Sequence, residues 1–364
     1  MDGACTPEEV ARAALLPKIA IYDVGPNFPM ELALRVGENA YNLLAMATTQ
    51  VPKPVLRLAD QVARRWLVRN RSPYLAEIAA LAQRSREPGL YYLNVHYEWG
   101  CTTAAKLAIG GQSAILLRAL DWDIAGIGRF VVAAQIANPL GAWTSLTWPA
   151  FTGVLQAIAP GRFAAAINQP TSPRLIGLPA IDRFLSKREI WRSPHIQPIH
   201  LLRRVFETAR DFAAALEMLE TTPITTSTIF SLVGTKANET VVVERRPTVA
   251  RVFYDAYAVN EWRTPEWQQG HHHAYKNDAR LAAIRLAHPH WDFRWLTWPI
   301  LNAETRVVMM ADPSTGRLAA QGFEGERAAT SILLLDHFMR LDKASSACDQ
   351  RSRATAKHQT RMST

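Results

Sequence analysis

The hydrophobic periodicity of this chain first switches near Gly89, and that switch constrains the fold more than any other feature. Before it, Met30–Thr48 and Val55–Arg69 place apolar residues three and four positions apart, with polar and charged residues between and no proline. That is the spacing of amphipathic helices. A third helix is predicted over Pro73–Arg84, after a Ser-Pro start signal. From Leu90 to Tyr97 the chain turns aromatic and runs into Glu98-Trp99-Gly100-Cys101.

Beyond Cys101 the pattern is mainly that of strands. Ala104–Ile109 and Ser113–Ala119 flank a Gly110-Gly111 turn, and further strands fit Phe130–Ile136, Thr144–Ala150, Gly153–Ile158 and Phe163–Asn168. A helical pair covers Ile199–Glu220. Strands then resume at Ser227–Val233, Glu239–Arg245, Val249–Tyr254 and Tyr257–Asn260, followed by a short helix over Ala279–Ala287. Thr305–Ala311 and Arg317–Phe323 form a late hairpin. Helices, strands, helices, strands is the order of an α+β fold, here an αββα arrangement of two antiparallel sheets stacked face to face and flanked by helices. The expected division is a helical segment over 1–100, a catalytic domain over 101–340, and a disordered basic tail over 341–364.

Composition removes several function classes. With 364 residues, 48% hydrophobic and 20% charged, the chain can bury a sizeable core. Its net charge of +9 is spread over scattered basic groups, which read as a solvated surface with a lean towards anionic lipid. The arginine-bearing helix Val55–Arg69 has a second reading as a membrane-surface contact. No nucleic-acid module accompanies the charge, so no nucleic-acid partner is expected. Cys5, Cys101 and Cys348 are too few and too far apart for a disulfide framework or a metal site. His271-His272-His273 reads as a solvated loop, because adjacent side chains on a regular element cannot all face one ion. Gly-rich phosphate loops, a G-x-S-x-G elbow and H-E-x-x-H are lacking, so neither cofactor nor metal is expected. Without a secretory pattern or a run of roughly 20 apolar residues, the expected location is cytoplasmic.

Cys101 remains as the candidate nucleophile. It begins a strand, follows Gly100 and precedes Thr102 and Thr103. Cutting the Gly100–Cys101 bond would place an α-amino group, of ordinary pKa near 7.7, within reach of its sulfur as general base. One strand later stand Arg118 and Asp121. A guanidinium beside the thiol would favour the thiolate, and an aspartate would hold the α-ammonium. On a regular strand these two side chains face opposite ways, so a turn between them would be needed to bring both to Cys101.

Gly89-Leu-Tyr-Tyr-Leu-Asn-Val-His-Tyr-Glu-Trp-Gly-Cys101-Thr-Thr, followed by Leu117-Arg118-Ala119-Leu120-Asp121-Trp122, resembles the acid ceramidase and N-acylethanolamine acid amidase branch of the choloylglycine-hydrolase-like N-terminal-nucleophile hydrolases. Phe151–Leu155 with Pro160-Gly161-Arg162-Phe163, Thr221–Lys236 with Val241-Val242-Val243-Glu244-Arg245, Val259-Asn260-Glu261-Trp262 and Asn277–Ile284 continue the likeness in the same order, over roughly residues 15 to 325. The resemblance implies that Cys101 is freed by self-cleavage, that Arg118 and Asp121 activate and orient it, that Asn260 donates to the oxyanion, and that Arg280 holds the Asn260 loop. Asn168, Gln169 and Trp122 fall at substrate or processing positions. Gln169 stands where the ceramidase branch has glutamate, and Ala279 where the family has an arginine. The implied activity is hydrolysis of an N-acyl amide of fatty-acid or ceramide type, with the two cleaved fragments staying associated. An acyltransferase of the same fold and a non-catalytic lipid- or partner-binding descendant are the alternatives.

Overall fold

The computed structural model describes residues 16–49, 51–85, 87–95, 99–108, 110–173, 178, 182, 188, 190–268, 270, 271 and 276–337. The basic tail, Cys5, Cys348, His272 and His273 lie outside them. Seventeen strands and eight α-helices are named here in chain order. The first segment holds β1 (Ala20–Gly25) and helices α1 (Met30–Val36), α2 (Glu38–Ala47), α3 (Lys53–Arg69), α4 (Leu75–Ser85) and α5 (Leu90–Leu93). Strands β2 (Gly100–Leu107), β3 (Ala114–Asp121), β4 (Val132–Ile136), β5 (Trp143–Thr147), β6 (Gln156–Ala159), β7 (Phe163–Asn168) and β8 (Ser172–Pro173) follow. Then come α6 (Pro198–Thr208) and α7 (Phe212–Thr221), with β9 (Thr228–Val233), β10 (Thr240–Arg245), β11 (Ala250–Phe253), β12 (Tyr257–Ala258) and β13 (Gly270–His271). Last are α8 (Asn277–Leu286), β14 (Thr305–Asp312), β15 (Arg317–Glu324), β16 (Arg327–Ala328) and β17 (Leu333–Asp336).

The strands build two large sheets. One runs β1-β4-β5-β6-β7-β9-β10-β11, the other β12-β2-β3-β14-β15-β16 with β17 also on β15. Leu116, Leu120, Val307 and Met309 of the second sheet share a core with Ala164, Ala166 and Val233 of the first, so the sheets stack face to face. Helices α6 and α7 pack on the first sheet and α8 on the second. On its outer face the second sheet buries Ile115, Leu117, Ala119 and Met310 against Ile284 of α8 and against Phe293 and Trp295. Strands of period two, buried on both faces, account for near-continuous apolar runs such as Ala-Ile-Leu-Leu in β3.

Two features depart from the sequence reading. The first hundred residues are not all helical, because β1 joins the first sheet as its edge strand. It pairs with β4 in parallel, from Ala20↔Val132 onward, so that sheet is mixed rather than purely antiparallel. A parallel edge strand needs a long crossover, here the helical segment together with β2 and β3, which single-strand periodicity does not reveal.

The helical segment has its own small core, with Trp66, Leu67, Ile78, Leu81 and Leu90. A polar joint locks it to α6. Arg203, only 3% exposed, binds Glu77 at 2.5 and 2.9 Å and Glu207 at 2.7 Å, and donates to Phe28 O and Thr152 O. Its guanidinium also lies 4.0 Å from the Tyr74 ring centroid. His200 is buried beside it, bonded through Nε2 to Thr152 Oγ1 at 3.0 Å. Burial, and then the Arg203 charge, push the His200 pKa down to about 3.

That shift carries a sign. The folded protein prefers neutral His200, so its stabilising contribution is present above the unfolded pKa of about 6.5 and is lost as pH falls towards 3. The loss runs at up to about 1.4 kcal/mol per pH unit. Urea unfolding between pH 7 and pH 4 is expected to show a shallower pH slope in His200→Asn than in the wild type. Equal slopes would mean that the imidazole titrates normally.

Candidate active site

Cys101 is the second residue of β2, fully buried, and paired in register with Leu120 of β3. Arg118, two residues back along β3 from Leu120, therefore points to the same face, between the sheets. Its Nη2 lies 2.9 Å from Cys101 Sγ, and its Nη1 donates to Leu155 O at 2.5 Å. The thiol also approaches Ile167 O of β7 at 3.6 Å. The guanidinium does favour the thiolate, but desolvation is the larger effect, and the Cys101 pKa is pushed up to about 11. In the intact chain the sulfur is thus a neutral thiol at neutral pH. Burial lowers the Arg118 pKa, with the sulfur raising it in part return.

Asp121 does not reach the sulfur. No turn separates it from Arg118: β3 continues regularly through Asp121, which pairs with Gly100 and faces α8. There its Oδ2 meets Arg280 Nη2 at 2.5 Å and its Oδ1 accepts from Thr305 Oγ1 at 3.0 Å. Arg280 Nη1 donates to Asn260 Oδ1 at 3.1 Å, and that same oxygen accepts the Cys101 backbone N–H at 2.7 Å. Asp121 thus bonds to Cys101 only through Arg280 and Asn260, while its negative charge adds to the upward push on the thiol's pKa. Asn260, not Asp121, touches the nitrogen that cleavage would turn into an amine. All four side chains are buried.

Asn260 Nδ2 donates to Gln169 O at 2.6 Å and to Trp99 O at 3.3 Å, while Gln169 Oε1 accepts the Trp99 N–H at 3.1 Å. The neutral Gln169 amide therefore pins the chain just upstream of Gly100. Asn168, on β7 of the opposite sheet, faces the same inter-sheet space as Cys101 and donates to Thr103 Oγ1 and Ala258 O. Sequence reasoning missed Thr305 and the Thr103–Ser231 hydroxyl pair, 2.8 Å apart, which links the two sheets. A lone threonine at a strand start carries no signal of its own.

Trp122 forms part of an apolar cavity of about 60 Å³. Leu43, Leu90 and Leu93 line it from the segment before Cys101, and Ile127 and Trp148 from the segment after. Trp99 contacts the Trp122 ring edge-on, at 5.8 Å between centroids, so the cavity wall abuts the chain two residues ahead of the nucleophile.

Two stacked sheets covered by helices, with a buried cysteine near the head of β2, make an α+β sandwich of αββα layering. No family model matches the chain, and no curated protein matches it. Among solved structures it is similar to a Caenorhabditis elegans ortholog of N-acylethanolamine-hydrolyzing acid amidase, at 18% identity and a TM-score of 0.46, over 65% of this chain and 100% of that one. It is similar also to penicillin V acylase from Agrobacterium tumefaciens (13%, TM-score 0.38, 65% of this chain and 86% of that one). A mutant of the conjugated bile acid hydrolase from Clostridium perfringens follows (11%, TM-score 0.36, 66% and 93%). Among the described residues no helix is long and apolar enough to cross a membrane.

Proposed function

We propose that this chain is an N-acyl amide hydrolase that cuts its own Gly100–Cys101 bond and then uses Cys101 on amides with an apolar, fatty acyl group. The observation that carries the reading is the double hold on Cys101: Arg118 on its sulfur and Asn260 on its nitrogen. In the intact chain that nitrogen is an amide and cannot take the thiol proton, and the sulfur is neutral. Cleavage supplies the missing base. The new α-amine accepts the thiol proton, sulfur adds to the substrate carbonyl, and the amine passes the proton to the departing nitrogen. Water then hydrolyses the thioester to free acid and thiol.

Asn260 has a second part in this reading. Once residues ahead of Cys101 withdraw, its bond to Trp99 O is released, and Nδ2 can donate instead to the oxyanion. The Trp122 cavity, apolar and adjacent, is suited to hydrocarbon rather than to a charged acyl group. The test is turnover of a series of N-acyl ethanolamides and N-acyl amino acids of 2 to 18 acyl carbons by the cleaved protein. Release of free acid that rises with chain length supports the reading. No turnover of any amide by fully cleaved protein would overturn it.

A further inference from the structure

We infer that Glu244, near the end of β10, is a positioning residue that sets where Asn260 stands; the inference rests on the hydrolase reading. Glu244 is wholly buried. A buried carboxylate is expensive unless its oxygens are satisfied, and here, among the described residues, its carboxylate accepts from one short stretch, the loop just after Asn260. Its Oε2 accepts the Thr264 N–H at 3.0 Å and the Thr264 hydroxyl at 2.6 Å, and its Oε1 accepts the Arg263 N–H.

The rest of the loop is fixed around that anchor. Trp262 is buried in an apolar cluster with Ile229, Val242 and Trp267. Arg263 reaches back to Asp255, just ahead of β12, with Nη2 on the carboxylate at 3.2 Å. Loop residues 259–264 are therefore held to the first sheet at their far end by Glu244, and to the second sheet at their near end, where Ala258 pairs with Thr103. Asn260 lies between the two anchors. Its Oδ1 must meet both Cys101 N and Arg280, and its Nδ2 must be aimed at the carbonyl carbon's oxygen, a geometry that tolerates errors well under 1 Å. Three donors converging on one carboxylate fix the loop with charge-assisted bonds. A glutamine in its place would turn an NH2 group towards an N–H donor.

Glu244→Gln is expected to lower kcat by about 10²-fold with KM within twofold, the effect of a small misplacement at a site remote from the chemistry. In an Asn260→Ala background the same substitution is expected to change kcat less than twofold, because the group it positions is gone. Thr264→Val should reproduce part of the loss and Thr264→Ser should not, which guards against a Glu244 variant that fails to fold. A readout independent of turnover is exchange protection of the Asn260 side-chain amide, followed by NMR in selectively labelled protein and assigned with Asn260→Ala. Glu244→Gln should lower that protection. Unchanged protection, or full additivity with Asn260→Ala, would overturn the positioning role. An inactive wild type with protection lost in Glu244→Gln would instead sink the hydrolase reading and leave the positioning role standing.

Discussion

Replacing Cys101 with alanine is expected to leave a single uncut chain and to abolish amide hydrolysis. Intact-mass measurement of the wild type, incubated at several pH values, should resolve two fragments, one ending at Gly100 and one beginning at Cys101. The Cys101→Ala variant should show neither. The loss of turnover should be on the order of 10³- to 10⁶-fold, as for nucleophile removal elsewhere. Folding is not the reason: Cys101 contributes one small buried side chain, and thermal unfolding should move by only a few degrees. Cys101→Ser separates the two roles of the sulfur. A hydroxyl at the same place has the same neighbours, Arg118 Nη2 and Ile167 O, but is a far weaker nucleophile at neutral pH, so its cleavage should be slow and not absent. A variant without the thiol that is still cut at Gly100–Cys101 would remove Cys101 from the mechanism. A wild type that hydrolyses amides while uncut would leave Cys101 as nucleophile but would require a base other than its own amine.

What the sequence made legible follows from which interactions are local. β7, the helical pair and the late hairpin are each fixed by period-two or 3.6-residue patterning within a few residues, and the sequence limits match the structure closely. Cys101, Arg118 and Asp121 stand within one hairpin, so their proximity was readable from spacing. Their separate roles were not, because they depend on which face each side chain takes and on what is packed there. Arg118 faces the interior between the sheets and Asp121 faces α8. The balance at the sulfur was also hidden: an arginine beside a thiol suggests a thiolate, but whether desolvation outweighs it depends on burial that no local pattern reports. β1 escaped because its partner lies more than a hundred residues downstream. Asn260 and Arg280 came only through the family resemblance, since nothing in a lone Asn or Arg marks it. Glu244 falls in the Val241–Arg245 stretch of the family likeness, but its role was not readable there: in sequence it is one charged residue at a strand end, and its partners lie in a loop twenty residues away.

The Asp121–Arg280 pair allows stability and chemistry to be pulled apart. Both side chains are at most 1% exposed and meet at 2.5 Å. Removing either alone takes from the other its buried charge partner, which typically costs about 3–5 kcal/mol. Arg280→Met is therefore expected to lower the urea midpoint strongly and, by leaving Asn260 Oδ1 without its guanidinium donor, to cut kcat/KM by about 10²-fold. The double variant Asp121→Leu/Arg280→Met tells the two effects apart. Apolar replacement of a whole buried pair is often neutral for stability, so the double variant should regain most of the lost midpoint. Activity should not return with it. Asn260 would still lack the bond that fixes its oxygen against Cys101 N, and its amide would be free to turn away from the carbonyl under attack. Recovery of kcat/KM together with stability would mean that the pair only holds α8 to the second sheet. Recovery of stability alone would place Asp121 and Arg280 in the reaction, as the two residues that carry orientation from the helix layer through Asn260 to the nucleophile.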